Sequence, residues 1–516
     1  MKKLSILGFL LIFLVYQPIS AQNLNDSLKI QSFREEGMKN SKVMDLVFNL
    51  TDVSGPRLAG SPGLKRAQEY AINKLKSWGL VNVNLEPWGK FGKGWEVQKN
   101  YSAMVEPYYH ALIAIPKAWT PSTPGPIKAE VMYIKADSIS DLDKYKGQLK
   151  GKILIMDARA PVEMNFNKPD ASRYADSTLN QMEKAKMETE NRGGGRRGFA
   201  AILKFRAALA NFEVQEGVAL VLSQGRGTDG TVFTTNGASY KDTAKAVVPE
   251  LETSAEDYQR ILRLVKSGNK VVLEADIKTE FFNQDLNGYN VVGEIPGSDK
   301  KLKDQIVMIG AHLDSWHAGT GATDNAAGSA VMMEVMRILK STGAKPKRTI
   351  RIALWSSEEQ GLFGSRNYVL NHFGDPATMV LKPDQSKVSA YYNLDNGTGK
   401  IRGVYLQGNA EAGPLFKSWL SPFKDLGAST ITLSNTGGTD HLSFDAVGIP
   451  GFQFIQDPMD YYARTHHSNE DTYDKVMEED LKQASVIIST FVFKTANLDQ
   501  MIPRKTLPKP QPARGQ

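Results

Sequence analysis

The chain has 516 residues, more than one hydrophobic core usually organises, so at least two folded units are expected. Its apolar share of 41% and charged share of 23% are those of a globular protein, and the absence of cysteine excludes disulfides, a catalytic thiol and any thiolate metal site. Of the formal charge of +7, Lys2 and Lys3 and the tail cations Arg504, Lys505, Lys509 and Arg514 supply six, so the body lacks the basic footprint of a nucleic-acid binder.

Lys2 and Lys3, the apolar run from Leu4 to Tyr16 and the small-residue pattern Ile19-Ser20-Ala21 read as a secretory signal peptide over 1–21, cut after Ala21. The run is short for a bilayer span, and no later segment approaches the ~20 apolar residues that a spanning helix needs. The expectation is therefore an exported protein, periplasmic or extracellular, with no integral membrane segment once the leader is removed. Residues 22–116 begin with a helical pattern. Ser61 is placed to cap a helix with Pro62 at its first position; Ala67, Ala71, Leu75 and Trp78 recur at helical spacing, and Gly79 marks the stop. A strand is expected over 81–85.

The Pro-rich segment 117–126 has the chemistry of a linker. Short strands follow at 129–134, 153–157 and 217–222, so 117–280 reads as a mainly-β interruption. Within it, 170–197 is polar, with one helix and the Arg192-Gly193-Gly194-Gly195-Arg196-Arg197 run, expected to be a solvated loop. From 281 to 498 strands and helices alternate: strands at 306–312, 349–355 and 388–395, helices at 325–340 and 360–371. Val331, Val335, Ile338 and Leu339 stripe one helix; Leu481, Ala484, Ile488, Phe491 and Val492 stripe the last. That alternation implies an α/β sheet with helices on both faces. Residues 499–516, with Pro503, Pro508, Pro510 and Pro512, read as a disordered or extended tail.

In such sheets ligands bind beyond the carboxyl ends of the strands. His312 and Asp314 stand where one strand ends, Asp324 opens the next helix, Glu358 and Glu359 follow a second strand, Asp395 ends a third, and His467 lies in a late loop. Singly, each has a bland explanation; a glutamate pair, for instance, complements a helix N-terminus. Gathered at one sheet end, they are costly to bury without a cation, and a nitrogen and oxygen donor set suits zinc. A dinucleotide loop at Gly319–Asp324 is disfavoured, because Asp324 stands where a glycine is needed and would repel a pyrophosphate.

These segments resemble the ordered motifs of the M28 family of dizinc exopeptidases: His312-Leu313-Asp314-Ser315, Ala322-Thr323-Asp324-Asn325, Ser356-Ser357-Glu358-Glu359-Gln360-Gly361, Asn393-Leu394-Asp395 and His467-Ser468-Asn469-Glu470-Asp471. Tyr145-Lys146-Gly147 and Leu149-Lys150-Gly151-Lys152-Ile153 make the interruption resemble a protease-associated domain, a combination most like the carboxypeptidase Q branch. The resemblance implies a mixed central sheet with helices on both faces, of the zinc-exopeptidase kind. It implies two zinc ions per chain, with Asp324 bridging, His312 and Asp395 on one ion, and Glu359 and His467 on the other. Glu358 would be the general base acting on a metal-bridged water, and Asp314 would orient His312. His466 adjoins His467; the family spacing to Asp471 selects His467. Asp440, His441, Tyr462 and Trp316 are expected around a small-peptide substrate, and the insert could serve as a lid, a filter or a homodimer surface. A single-zinc glutaminyl cyclase and a non-catalytic receptor on the same scaffold are the rival readings. No residue decides between recognition of the amino and carboxyl ends.

Overall fold

The computed structural model describes residues 17–159, 161–162, 166–186 and 196–510. The expected leader up to residue 16 and positions 192–195 of the arginine–glycine run lie outside them. Among the described residues no helix is long and apolar enough to cross a membrane.

The central sheet has eight strands in the order Val81–Lys90, Asn287–Ile295, Thr349–Trp355, Ile306–His312, Val388–Asn393, Gly451–Gln456, Ile401–Tyr405 and Thr430–Thr432. Ile306–His312 runs parallel to both neighbours, with His312 opposite Trp355 and Gly310 opposite Asn393. The carboxyl ends of these three strands therefore share one edge. Their continuous apolar runs suit a sheet buried on both faces. Ala327–Ser341, Glu478–Asn497 and Pro62–Ser77 cover one face; Phe363–His372 and His441–Asp445 cover the other. Ser61 caps its helix as its sequence implies, its Oγ accepting from Leu64 N at 3.2 Å, with Pro62 at the first position. The last helix is buried on nearly all sides, beyond its expected stripe, because Gln17–Lys39 packs outside it and sets Phe33 edge-on to Phe493 at 5.3 Å.

A second eight-stranded sheet runs in the order His110–Ala111, Gly94–Glu106, Val272–Phe282, Ile127–Tyr133, Ile153–Ile155, Leu220–Gln224, Glu250–Thr253 and Ala114–Pro116. It draws in residues 94–116, which lie before the interruption expected at 117–280. Gly94–Glu106 pairs antiparallel with Val272–Phe282, a partner about 170 residues away that no local pattern reveals. The segment expected as a linker is not one. Trp119 is buried, its Nε1 donating to Lys93 O at 2.9 Å, and Trp95 Nε1 donates to Thr120 O at 2.9 Å. With Trp88, Phe91, Trp316 and Leu58 they form an apolar seal between the two sheets.

Of the two readings of the tail, disordered or extended, the described residues 499–510 take the extended one, docked on the body. Ile502 is buried, Arg504 donates to Val388 O at 2.6 Å and Gln385 O at 2.9 Å, and Lys505 pairs with Asp445 at 2.6 Å. Prolines deny residues 499–510 regular structure, yet the arginine and lysine tie the extended chain to carbonyls of the buried residues Gln385 and Val388 and to a carboxylate.

In the helix Arg196–Glu216 of the second unit, Glu213 is only 7% exposed. Burial, helped by the charge of Glu250, pushes its carboxyl up to about 8 from 4.5. The unfolded chain ionises first, so this residue costs nothing at acid pH and destabilises increasingly as pH rises towards 8. Glu213→Gln should therefore raise Tm by several degrees at pH 8 and leave it unchanged at pH 4, as read by thermal melts of the two proteins at both pH values.

Candidate metal centre

Each side chain at the shared strand edge is aimed by local structure. His312 is buried, and its Nδ1 donates to Asp314 O at 3.0 Å. That bond makes Nδ1 a donor and leaves Nε2 facing Asp324 Oδ1 at 3.2 Å and Asp395 Oδ1 at 3.4 Å. Ser329 Oγ holds the His312 carbonyl at 2.7 Å. Asp324 is held by the Asp471 carboxylate, which accepts from Thr323 N at 2.6 Å and Asp324 N at 3.1 Å. Asn325 Nδ2 donates to Leu394 O at 2.9 Å, tying this loop to the strand end that carries Asp395.

The second strand end turns differently from its expected helix start. The helix begins at Phe363 rather than 360, after Ser357 and Leu362 at φ +57° and +61°. Left-handed backbone at non-glycine residues is costly and gathers at functional sites. Here it presents Glu358 and Glu359 in different directions. Asp314 braces the turn: its carboxylate accepts from Glu358 N at 3.2 Å and Glu359 N at 3.4 Å. The carboxylate stands 3.7 Å from His312 Nδ1, so it is the Asp314 carbonyl, not its side chain, that holds the imidazole.

His467, itself at φ +66°, brings Nε2 to 2.8 Å from Glu359 Oε2 and 3.3 Å from Asp324 Oδ2. His466 stacks on His467 at 3.8 Å, but its Nε2 is 3.9 Å from Asp324. Asp324 thus has one oxygen towards His312 and the other towards His467. Asp324 Oδ2, Glu359 Oε1 and Asp395 Oδ1 are buried without a hydrogen bond, although imidazole nitrogens face two of them. Donor atoms of His312, Asp324 and Glu359, and of Asp324, His466 and His467, cluster closely enough to share an ion. Buried acceptors left unpaired and aimed at one another fit a cation held by nitrogen and oxygen donors.

The electrostatics follow from this crowding. Burial pushes the Glu358 carboxyl well above its ordinary range; His312 opposes this, while Asp395, Asp440 and Glu359 add to it. Burial alone would lower His312, yet Asp395 and Glu358 lift it well above 6.5. Burial would likewise lower His467, but Glu359 and Asp324 carry it up to about 10.

The expected pocket residues divide. Trp316 is buried in the seal between the sheets, 6.0 Å from the His467 ring. Asp440 is fully buried, and burial pushes it up to about 7. His441 is also fully buried, its Nε2 2.6 Å from Gln407 Nε2 and 3.2 Å from Thr436 O, so it braces a loop rather than lining an open pocket. Tyr462 is 66% exposed at the rim, its ring 5.6 Å from His466.

Sequence reasoning passed over Arg57. Its guanidinium is fully buried and donates to Leu313 O at 2.7 Å, Leu50 O at 2.8 Å, Thr320 O at 2.5 Å and Gly321 O at 2.7 Å. It thereby clamps the loops that follow His312 and precede Asp324. Burial draws it down to about 10, against the nearby carboxylates led by Asp471, so it stays charged at neutral pH. The only sequence signal was an arginine in an otherwise apolar, Gly- and Pro-rich segment.

Residues 290–492 match Peptidase family M28. The chain is 27% identical to carboxypeptidase Q of Mus musculus over 459 residues, covering 88% of this chain and 86% of that protein. It is 28% identical to carboxypeptidase Q of Bos taurus, covering 91% and 88%. The crystal structure of a peptidase M28 precursor from Shewanella amazonensis superposes with a TM-score of 0.67 at 27% identity, covering 94% of this chain and 99% of that one.

Replacing Arg57 by methionine removes the side-chain donor from the carbonyls of Leu50, Leu313, Thr320 and Gly321, of which Gly321 O keeps its bond from Ala326 N at 3.0 Å. Unpaired buried acceptors cost roughly 1–3 kcal/mol each. Arg57→Met should lower Tm by several degrees and release zinc at chelator concentrations that the wild type withstands, as read by metal analysis after dialysis. Wild-type zinc retention would refute the clamp.

Proposed function

The chain carries a Peptidase family M28 domain and is a metallopeptidase, and on that premise we propose that it is an exported zinc exopeptidase acting on small peptides. The observation that carries this reading is the set of buried, unpaired oxygens on Asp324, Glu359 and Asp395, faced by His312 and His467. That donor set fits zinc, and the two-sided placement of Asp324 supports two ions: one held with His312 and Asp395, one with Glu359 and His467. When bound, zinc supplies Lewis acidity towards a peptide carbonyl and acidifies water.

Glu358 takes the remaining role. Its backbone is braced by Asp314 rather than by a metal ligand, its side chain is buried among the same carboxylates, and among the described residues no ion pair holds it. A carboxyl in such surroundings has raised proton affinity, which suits it to accept a proton from water and return it to the departing amine. Asp314 keeps both neighbouring glutamates in place at once. Tyr462, exposed at the rim, is available to the substrate. The leader at 1–21 supports export, and the second sheet, with its Tyr145-Lys146-Gly147 segment, supports an inserted protease-associated domain.

Metal analysis of the purified chain should find about two zinc ions, and chelation should abolish peptide hydrolysis. Glu358→Gln should keep the zinc content while turnover falls by about 10²–10⁴-fold. Turnover near that of the wild type would remove Glu358 from the base role.

A further inference from the structure

The helix Arg196–Glu216 of the inserted unit is apolar on more than the side it buries. Phe205, Leu209 and Phe212 form its inner side, against Ile134, Leu142 and Leu149. Its last residue is tied down where Gly147 N donates to Glu216 Oε2 at 2.6 Å. On the opposite side Leu203, Ala207, Ala210 and Val214 recur at helical spacing and make a second apolar stripe. Leu203 is 49% exposed and Val214 39%, and Ile202 beside them is 52% exposed. A helix that is apolar all round normally lies in an interior. This one keeps its outer stripe open to solvent.

The charge around the stripe selects what covers it. Between Glu190 and Glu213 the chain carries Arg192, Arg196, Arg197, Lys204 and Arg206 and no acid. Lys204 and Arg206 flank the stripe; both are exposed, and among the described residues neither has an ion pair. The helix's two acids are turned away from it: Glu213 is buried, and Glu216 holds Gly147. Two copies joined stripe to stripe would set like charges against each other, which disfavours a second copy. A surface of anionic headgroups over acyl chains meets both demands. Leucine and isoleucine enter the apolar layer, while the long lysine and arginine stems lift their charges to the phosphates.

We propose that the outer face of this helix docks the protein on an anionic lipid surface. The helix carries none of the metal-centre residues, so docking and peptide hydrolysis are separable. The test uses the zinc-loaded chain with its leader removed, so that the leader's apolar run cannot bind lipid. It should sediment with vesicles of phosphatidylcholine containing about 30% phosphatidylglycerol, and not with phosphatidylcholine alone. Each cation near such a surface is worth about fivefold, so Lys204→Gln with Arg206→Gln should weaken partitioning about 25-fold. Ile202→Gln with Leu203→Gln should weaken it roughly tenfold. Both double variants should keep wild-type zinc content, Tm and turnover of a soluble dipeptide, which separates lost docking from lost folding. Failure of the wild type to sediment, or sedimentation of the variants equal to it, would overturn the proposal. So would a dimer in solution that Leu203→Gln dissociates, which would assign the face to a second copy. Retention on immobilised polyglutamate without vesicle binding would overturn it in favour of an acidic protein.

Discussion

Four carboxylates, Asp324, Glu358, Glu359 and Asp395, are buried at one sheet edge within each other's electrostatic reach. Left to themselves they would repel, and burial would protonate some of them. Two imidazoles from opposite ends of the domain partly neutralise the group, and unpaired oxygens remain for a cation to satisfy. Much of the surrounding structure holds this unfavourable cluster in place. Asp471 grips the Asp324 loop, Asp314 grips the glutamate turn, and Arg57 brings a buried positive charge beneath both while binding only carbonyls. Arg57 stabilises by geometry and by field together, since its nearest charged neighbours are the carboxylates that surround the centre.

The inserted unit is part of this arrangement. Its hairpin pairs with the backbone of the His467 loop, and Arg464 ties the same loop to Asp170 and Asp229. Trp119, Trp316 and Trp88 close the remaining space with an apolar seal, and Trp316 reaches the His467 ring edge-on. A displacement of the insert would therefore move the histidine loop through main-chain hydrogen bonds.

The legible part of the protein is the part written in short-range pattern. Apolar β-branched runs bounded by turns marked the strands that end at His312, Trp355 and Asn393, and the Ser61-Pro62 cap marked a helix start. The acidic and imidazole residues were visible because they sit at the ends of those runs, where an α/β sheet gathers them. What escaped was non-local. The pairing of Gly94–Glu106 with Val272–Phe282, the burial of residues 117–120 and the docking of the tail through Arg504 all depend on partners far along the chain.

The sequence by itself determined which groups meet: donor type, strand-end position and the lack of cysteine left nitrogen and oxygen ligands as the only set. Only the tertiary structure decided how they are held. It set Asp324 between two histidines, made His312 Nδ1 a donor to a carbonyl, turned the Asp314 side chain to the glutamate backbone, and brought Arg57 to the centre from a remote segment. The reason is physical: residue chemistry is local, whereas hydrogen-bond direction and burial depend on which distant segments fold together.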